Sequence, residues 1–164
     1  MEDYRIIRAE EKYCPGHTRT LSFVAHEGRY LSTNKGFTEE EILNFYHFCK
    51  AKDFPQFFVI DEGGEVVGWC DIVPREGYPA TIGFIGVGLM PDYRGRGIGG
   101  ELMEVTMAAA KEAGFREIRL DCRSSNERAI KLYKKLGFRR IASLRTGLVI
   151  DGENIPIICM KKRI

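Results

Sequence analysis

A chain of 164 residues is the length of one domain, and a domain of this size buries roughly 70% of its unfolded surface, enough for a core. Its 25 Lys and Arg are intermixed with 23 Asp and Glu, a formal charge of +2, so no basic stripe marks a nucleic-acid partner. A hydrophobic content of 44% with 29% charged residues excludes a disordered or collagen-like chain. The five cysteines, Cys14, Cys49, Cys70, Cys122 and Cys159, are scattered singly, with no C-x-x-C pair to suggest a disulfide framework or a zinc site. No charged-then-apolar leader and no bilayer-length apolar run is present, so no membrane association is expected and a cytoplasmic location is.

In chain order, Asp3 to Arg8 alternates polar and apolar residues and predicts a strand, closed by Pro15-Gly16. Leu21, Val24 and Ala25 fall at helical spacing from Thr18 onward, up to a break at Ser32-Thr33-Asn34-Lys35-Gly36. Thr38 followed by Glu41 is a capping-box pattern opening a second helix, with Ile42, Phe45, Tyr46 and Cys49 on one face. Phe57 to Ile60 and Val66 to Cys70 read as strands joined by the hairpin signal Asp61-Glu62-Gly63-Gly64. Thr81 to Met90 is a further strand, with Gly83, Gly86 and Gly88 in its interior, where glycine implies a bulge or a ligand close to the backbone.

A helix follows at Ile98, Leu102, Val105 and Ala109, ending at Ala113-Gly114; Glu117 to Cys122 is then a strand. Asn126 or a preceding serine caps a helix carrying Ala129, Leu132, Tyr133 and Leu136 and closed by Gly137. Phe138 to Ile150 and Ile155 to Lys162 predict a closing strand pair around Asp151-Gly152-Glu153-Asn154. The order implies a single α/β (α+β layered) domain over residues 1–164, a mixed sheet with helices packed on it.

Between the glycine-bearing strand and its helix lies Pro91-Asp92-Tyr93-Arg94-Gly95-Arg96-Gly97-Ile98-Gly99-Gly100. Glycines leave main-chain N–H groups uncovered, and a helix start offers unpaired donors with a favourable dipole. With Arg94 and Arg96 beside them, the natural occupant is a phosphate or pyrophosphate. Gly95, Gly97 and Gly100 also satisfy the dinucleotide pattern G-x-G-x-x-G, and Asp121 lies at the distance where such folds hold a ribose. Context weighs against an NAD-dependent oxidoreductase. Four residues separate strand from first glycine, and the surrounding hairpins do not suit a run of parallel strands joined by helices.

The segment Val87 to Gly99 resembles the acyl-coenzyme A signature of the GCN5-related N-acetyltransferases, R-x-x-G-x-G, filled by Arg94, Gly97 and Gly99. A second family block, N-x-x-A-x-x-L-Y-x-x-x-G-F, is similar to Asn126, Ala129, Leu132, Tyr133, Gly137 and Phe138. The resemblance implies a mostly antiparallel sheet with helices on both faces and a splayed, bulged strand before the loop. It implies acetyl-CoA as co-substrate, with no metal. Backbone N–H groups of Arg94, Gly95, Arg96, Gly97, Ile98, Gly99 and Gly100 would cradle the pyrophosphate, and Val87 and Leu89 would pair with the pantetheine arm. Asn126 and Tyr133 would border its sulfur end, with Tyr133 the acid that protonates the leaving thiolate.

Many relatives carry a glutamate base on the glycine-bearing strand, but Thr81 to Met90 holds no acid. Asp121 is the next candidate, matching the place of an acid in enzymes that acetylate ribosomal-protein amino termini; Asp71 is a third, and a water chain a fourth. His17, His26 and His47 lack metal-ligand spacing, although His26 and Tyr30 are placed to line an acceptor pocket. The acids Glu39, Glu40, Glu41, Asp151 and Glu153 suit a cationic amine or, equally, solvated helix starts and turns. Cys122 has no histidine companion in sequence, so direct transfer in a ternary complex is expected over a covalent relay. The expected acceptor is a small-molecule primary amine; a protein amino terminus and a non-catalytic acyl-CoA sensor are the alternatives. Homodimers are common in the family, so one is an expectation here.

Overall fold

A computed structural model of the chain describes residues 2–141 and 148–164. Strand β1 (Tyr4–Arg8) leads into helix α1 (Cys14–His26), which starts four residues before the periodicity suggests because Pro15, lacking an N–H, fits the first helical turn. Helix α2 (Glu39–Lys52) carries the full reciprocal capping box between Thr38 and Glu41. Then come β2 (Gln56–Asp61), β3 (Val66–Val73), β4 (Ile82–Leu89), helix α3 (Ile98–Glu112) and β5 (Glu117–Arg123). Helix α4 (Glu127–Lys135) begins where the Asn126 side chain accepts the Ala129 N–H. The chain closes with β6 (Arg139–Arg140), β7 (Leu148–Ile150), β8 (Glu153–Ile155) and β9 (Ile157–Arg163).

The main sheet runs β1-β2-β3-β4-β5-β9-β6, antiparallel except for the parallel β4–β5 pair. Alternation along β3 sorts its side chains between two helical layers. Cys70 and Ile72 enter the core shared with Leu102, Met103 and Met107 of α3, and Tyr133 of α4 lies in the same cluster. Trp69 faces α1, where its ring lies 5.6 Å from that of His17. Full burial of Ile72, Leu102, Met103, Ile118 and Met160 stabilises the sheet–α3 layer by about 1.5–3 kcal/mol per side chain. Gly88 is required by this packing: a Cβ there would meet the Trp69 ring at 2.2 Å.

Strands β4 and β5 pair only from Ile82 to Phe84, against Glu117 to Arg119. Beyond that point they diverge, and among the described residues the β5-facing edge of β4 from Ile85 to Leu89 has no strand partner. The opening is a splay, as expected, but it is not accompanied by a bulge in β4. That strand keeps unbroken register with β3 from Phe84 to Leu89, and the register shift lies between Val59 and Ile60 of β2.

The expected closing strand pair forms between β6 and β9, but it is subdivided. Residues β7 and β8 form a separate two-stranded sheet around Asp151-Gly152, while β9 pairs with β5 and β6 of the main sheet. Positions 142–147 of the predicted first strand lie outside the described residues. Pro156, which has no N–H for a ladder, separates β8 from β9.

Candidate active site

The β4–β5 opening is the floor of a pocket of about 1050 Å³ between the end of α1, the start of α3 and helix α4. Its lining unites both sequence blocks: Val87, Leu89, Arg94, Gly95, Gly97, Gly99 and Gly100 with Asn126, Leu132 and Tyr133. The loop geometry follows from Gly97, which caps α3 with φ +84°, and has open space where a Cβ would stand. No side chain caps this helix, and its first intrahelical bond is Glu101 N–H to the Gly97 carbonyl. The N–H groups of Ile98, Gly99 and Gly100 therefore have no acceptor within the helix.

Both arginines of the loop are already engaged. The Arg94 guanidinium grips the Glu27 carboxylate bidentately, at 3.1 and 2.5 Å, donates from Nε to the Leu89 carbonyl at 2.9 Å and lies 4.6 Å from the Tyr30 ring centroid. Arg96 turns away to Asp3 and to the Tyr93 ring and does not line the pocket; its pairing holds the Asp3 carboxyl below the usual range. Ile98 is fully buried in the core on the α3 side, so its side chain anchors the helix start. Arg96 and Ile98 thus have only their backbone N–H groups to offer at the loop.

Positive charge at the pocket comes instead from Arg29 and Arg128, both exposed in its lining and without an ion pair among the described residues. Sequence reading missed them, although Arg128 lies inside the second block, two residues after its asparagine. It also missed Arg123, a buried residue of the pocket wall. Arg123 donates to the carbonyls of Leu31 and Gly28 and to Asn34 Oδ1 at 2.8–2.9 Å, fastening the α1–α2 connection to β5. No local signal reveals that role, because every partner is about ninety residues away in sequence.

Tyr133 is 9% exposed, with its ring edge-on to Phe138 at 6.0 Å. Its hydroxyl has no hydrogen bond among the described residues, and burial pushes its pKa well above the usual 10. It is thus a neutral O–H at the pocket wall, able to donate. The Cys122 thiol, buried and pushed up to about 11 by desolvation, is protonated at neutral pH and is a poor nucleophile. Asp121 is exposed, lies 3.5 Å from Arg75, and does not line the pocket. His26 is exposed and outside the pocket lining, whereas Tyr30 is in it.

These features fit acetyl-CoA: helix-start N–H groups and an open glycine turn for the pyrophosphate, two arginines without an ion pair among the described residues for phosphate charge, and a strand edge unpartnered among those residues for the pantetheine amides. The sequence model of the Acetyltransferase (GNAT) family matches residues 22–138. An N-alpha-acetyltransferase of Sulfurisphaera tokodaii is 37% identical over 110 residues, covering 60% of this chain and 64% of that one, just under two thirds of the relative. An N-alpha-acetyltransferase of Sulfolobus acidocaldarius is 30% identical over 147 residues, covering 82% of this chain and 86% of its own. In three dimensions, the GNAT superfamily phosphinothricin acetyltransferase of Sinorhizobium meliloti, solved with acetyl-CoA, superposes with a TM-score of 0.89 at 18% identity, over 99% of this chain and 89% of that one. The chain belongs to the GNAT acetyltransferase family. Among the described residues, no helix is long and apolar enough to cross a membrane, and no group of three or more His, Cys, Asp and Glu is gathered as a metal site would require.

Proposed function

We propose that this protein transfers the acetyl group of acetyl-CoA directly to a primary amine of a small molecule, in a ternary complex. One observation carries the reading. A single pocket runs from the glycine turn at Gly97, along the free edge of β4, to the Tyr133 hydroxyl. Bound acetyl-CoA supplies an activated thioester. The protein orients it with the helix-start N–H groups and the β4 edge, and a β4 N–H steadies negative charge on the carbonyl oxygen. Tyr133 donates a proton to the departing sulfur. A covalent relay through Cys122 is disfavoured by its protonated, buried thiol.

A second reading, acetylation of a protein amino terminus, has the names of the two relatives in its favour. The test is release of free thiol from acetyl-CoA with a panel of small amines and amino-terminal peptides. Transfer to a small amine supports the proposal; transfer to peptides alone supports the second reading. Binding of acetyl-CoA without thiol release under any condition leaves a sensor.

A further inference from the structure

A second pocket, of about 450 Å³, lies under α1 and α2 and is lined by His17, Leu21, Phe37, Ile42 and Phe45 with Asp71 and Glu41. Building on the transferase reading above, we infer that Asp71 receives the proton of the acceptor amine, and that this pocket selects an amine carried on an apolar body.

The placement follows from register. Asp71 stands on the α1 face of β3, directly across from Gly86 of β4. Gly86 has no side chain to cover it, and a Cβ there would lie 3.3 Å from Asp71 Oδ1. The next residue along β4, Val87, lines the main pocket. Along the β4 backbone, one strand position therefore separates the residue beside the carboxylate from the wall along which a thioester would run.

The charge around Asp71 is incomplete. Among the described residues it makes no ion pair and no side-chain hydrogen bond. From α1 it faces His17, which is fully buried with both ring nitrogens unpartnered and is held neutral, its pKa pushed down to about 3 by desolvation. From α2 come Glu41, whose carboxylate bonds the Thr38 N–H, and Cys49, whose thiol is pushed up to about 12. From β2 the cross-strand neighbour is Gln56, uncharged, 2% exposed and with both amide atoms unpartnered. The adjacent Cys70 thiol on β3 is also raised by burial. None of these is a cation, so desolvation in the half-buried pocket wall acts unopposed on Asp71 and lifts its carboxyl to about 7. A carboxylate in such a place lacks a positive partner, and an ammonium group supplies one.

The walls decide what carries that ammonium. Leu21, Phe37, Ile42 and Phe45 offer no polar side-chain atom, and the second acid of the lining, Glu41, is exposed and accepts the Thr38 N–H, so the walls favour an apolar body over a polyamine's second charge or a peptide's backbone N–H and C=O groups. An aryl- or branched alkylamine leaves no polar group unpaired. In the reaction, the ammonium gives one proton to Asp71, and its freed lone pair forms the N–C bond to the thioester carbonyl. The C–S bond then breaks, the sulfur takes the Tyr133 proton, and the second proton leaving nitrogen restores Tyr133. Asp71 finally returns its proton to water.

The test uses the full chain with acetyl-CoA and phenethylamine, isoamylamine, spermidine, lysine and an alanine-led tetrapeptide. The wild type is expected to prefer the two apolar amines by about tenfold or more in kcat/KM. Asp71→Asn should cut kcat on phenethylamine by about 10²–10⁴-fold, erase the acid limb near pH 7 and leave the acetyl-CoA Kd unchanged. Phenethylamine alone should raise the wild-type Tm but not that of Asp71→Asn. Phe45→Ala, which keeps the carboxylate, should raise the phenethylamine KM about tenfold and leave the acetyl-CoA Kd in place. An Asp71→Asn protein that keeps its rate and its acid limb overturns the inference, as does a preference for spermidine or the peptide. A wild type that releases no thiol with any of these acceptors overturns the transferase reading on which the inference rests.

Discussion

Arg94 and Glu27 join the end of α1 to the loop before α3 through a bidentate pair, with only 17% and 22% of the two side chains exposed. The family signature places an arginine here, and a phosphate ligand is the obvious use for it. In this chain its fork is spent on Glu27 and the Leu89 carbonyl, which fixes the mouth of the pocket. Glu27→Gln should therefore lower stability by about 1–3 kcal/mol, because it leaves a largely buried guanidinium short of its charged partner. Urea unfolding checks this, and a midpoint equal to wild type would show that the clamp contributes nothing.

On the acetyl-CoA reading, the phosphate charge falls to the pocket-lining Arg128 and Arg29. Arg128→Glu is expected to weaken acetyl-CoA binding by about tenfold or more, with a wild-type Tm, since its side chain is exposed. Titration calorimetry at two salt concentrations reads it, and the wild type should lose more affinity on salt addition than the variant.

Gly97→Ala puts a side chain into a turn whose φ of +84° suits glycine and into the open space of the cradle. The backbone strain is about 1 kcal/mol, so the fold should survive while acetyl-CoA affinity falls by tenfold or more. Circular dichroism melting and titration calorimetry separate the two effects.

Several features were legible in the sequence because their determinants are local. The loop glycines mark an uncovered backbone, Asn126 caps α4 through a residue three positions on, and Thr38 with Glu41 closes its own box. The parts that escaped are those where distant segments meet. Arg123 finds its three acceptors across the sheet, and Asp71 and His17 share a pocket only because β3 packs under α1. The closing strands were legible only in outline for a related reason: the described residues between Phe138 and Lys162 hold four strand segments, and pairing partners for β9 lie in β5 as well as β6.

Tyr133→Phe keeps the ring against Phe138 and removes only the O–H. It should lower kcat by about 10²-fold or more while the acetyl-CoA Kd stays near wild type. Cys122→Ala should leave kcat unchanged, and a large loss there would favour a covalent relay.

Asp71 also makes a stability prediction whose sign is opposite to that of an ion-paired acid. Burial raises its folded-state pKa from 3.8 to about 7, so the native protein holds a proton that the unfolded chain releases. Its contribution is most favourable below pH 4 and is lost as pH rises through about 7. Asp71→Asn should therefore raise the Tm at pH 8 by several degrees, with the gap closing toward pH 4; a variant less stable than wild type at pH 8 would contradict the burial argument.

The most direct test of the central claim is a parallel melting and turnover experiment on the wild-type chain, with acetyl-CoA, coenzyme A and NAD as ligands and an amine panel as acceptors. Acetyl-CoA at 100 times its Kd should add about 2.7 kcal/mol of stability, NAD nothing, and each thiol released should be matched by one acetylated amine. Stabilisation by NAD without stabilisation by acetyl-CoA would contradict the account.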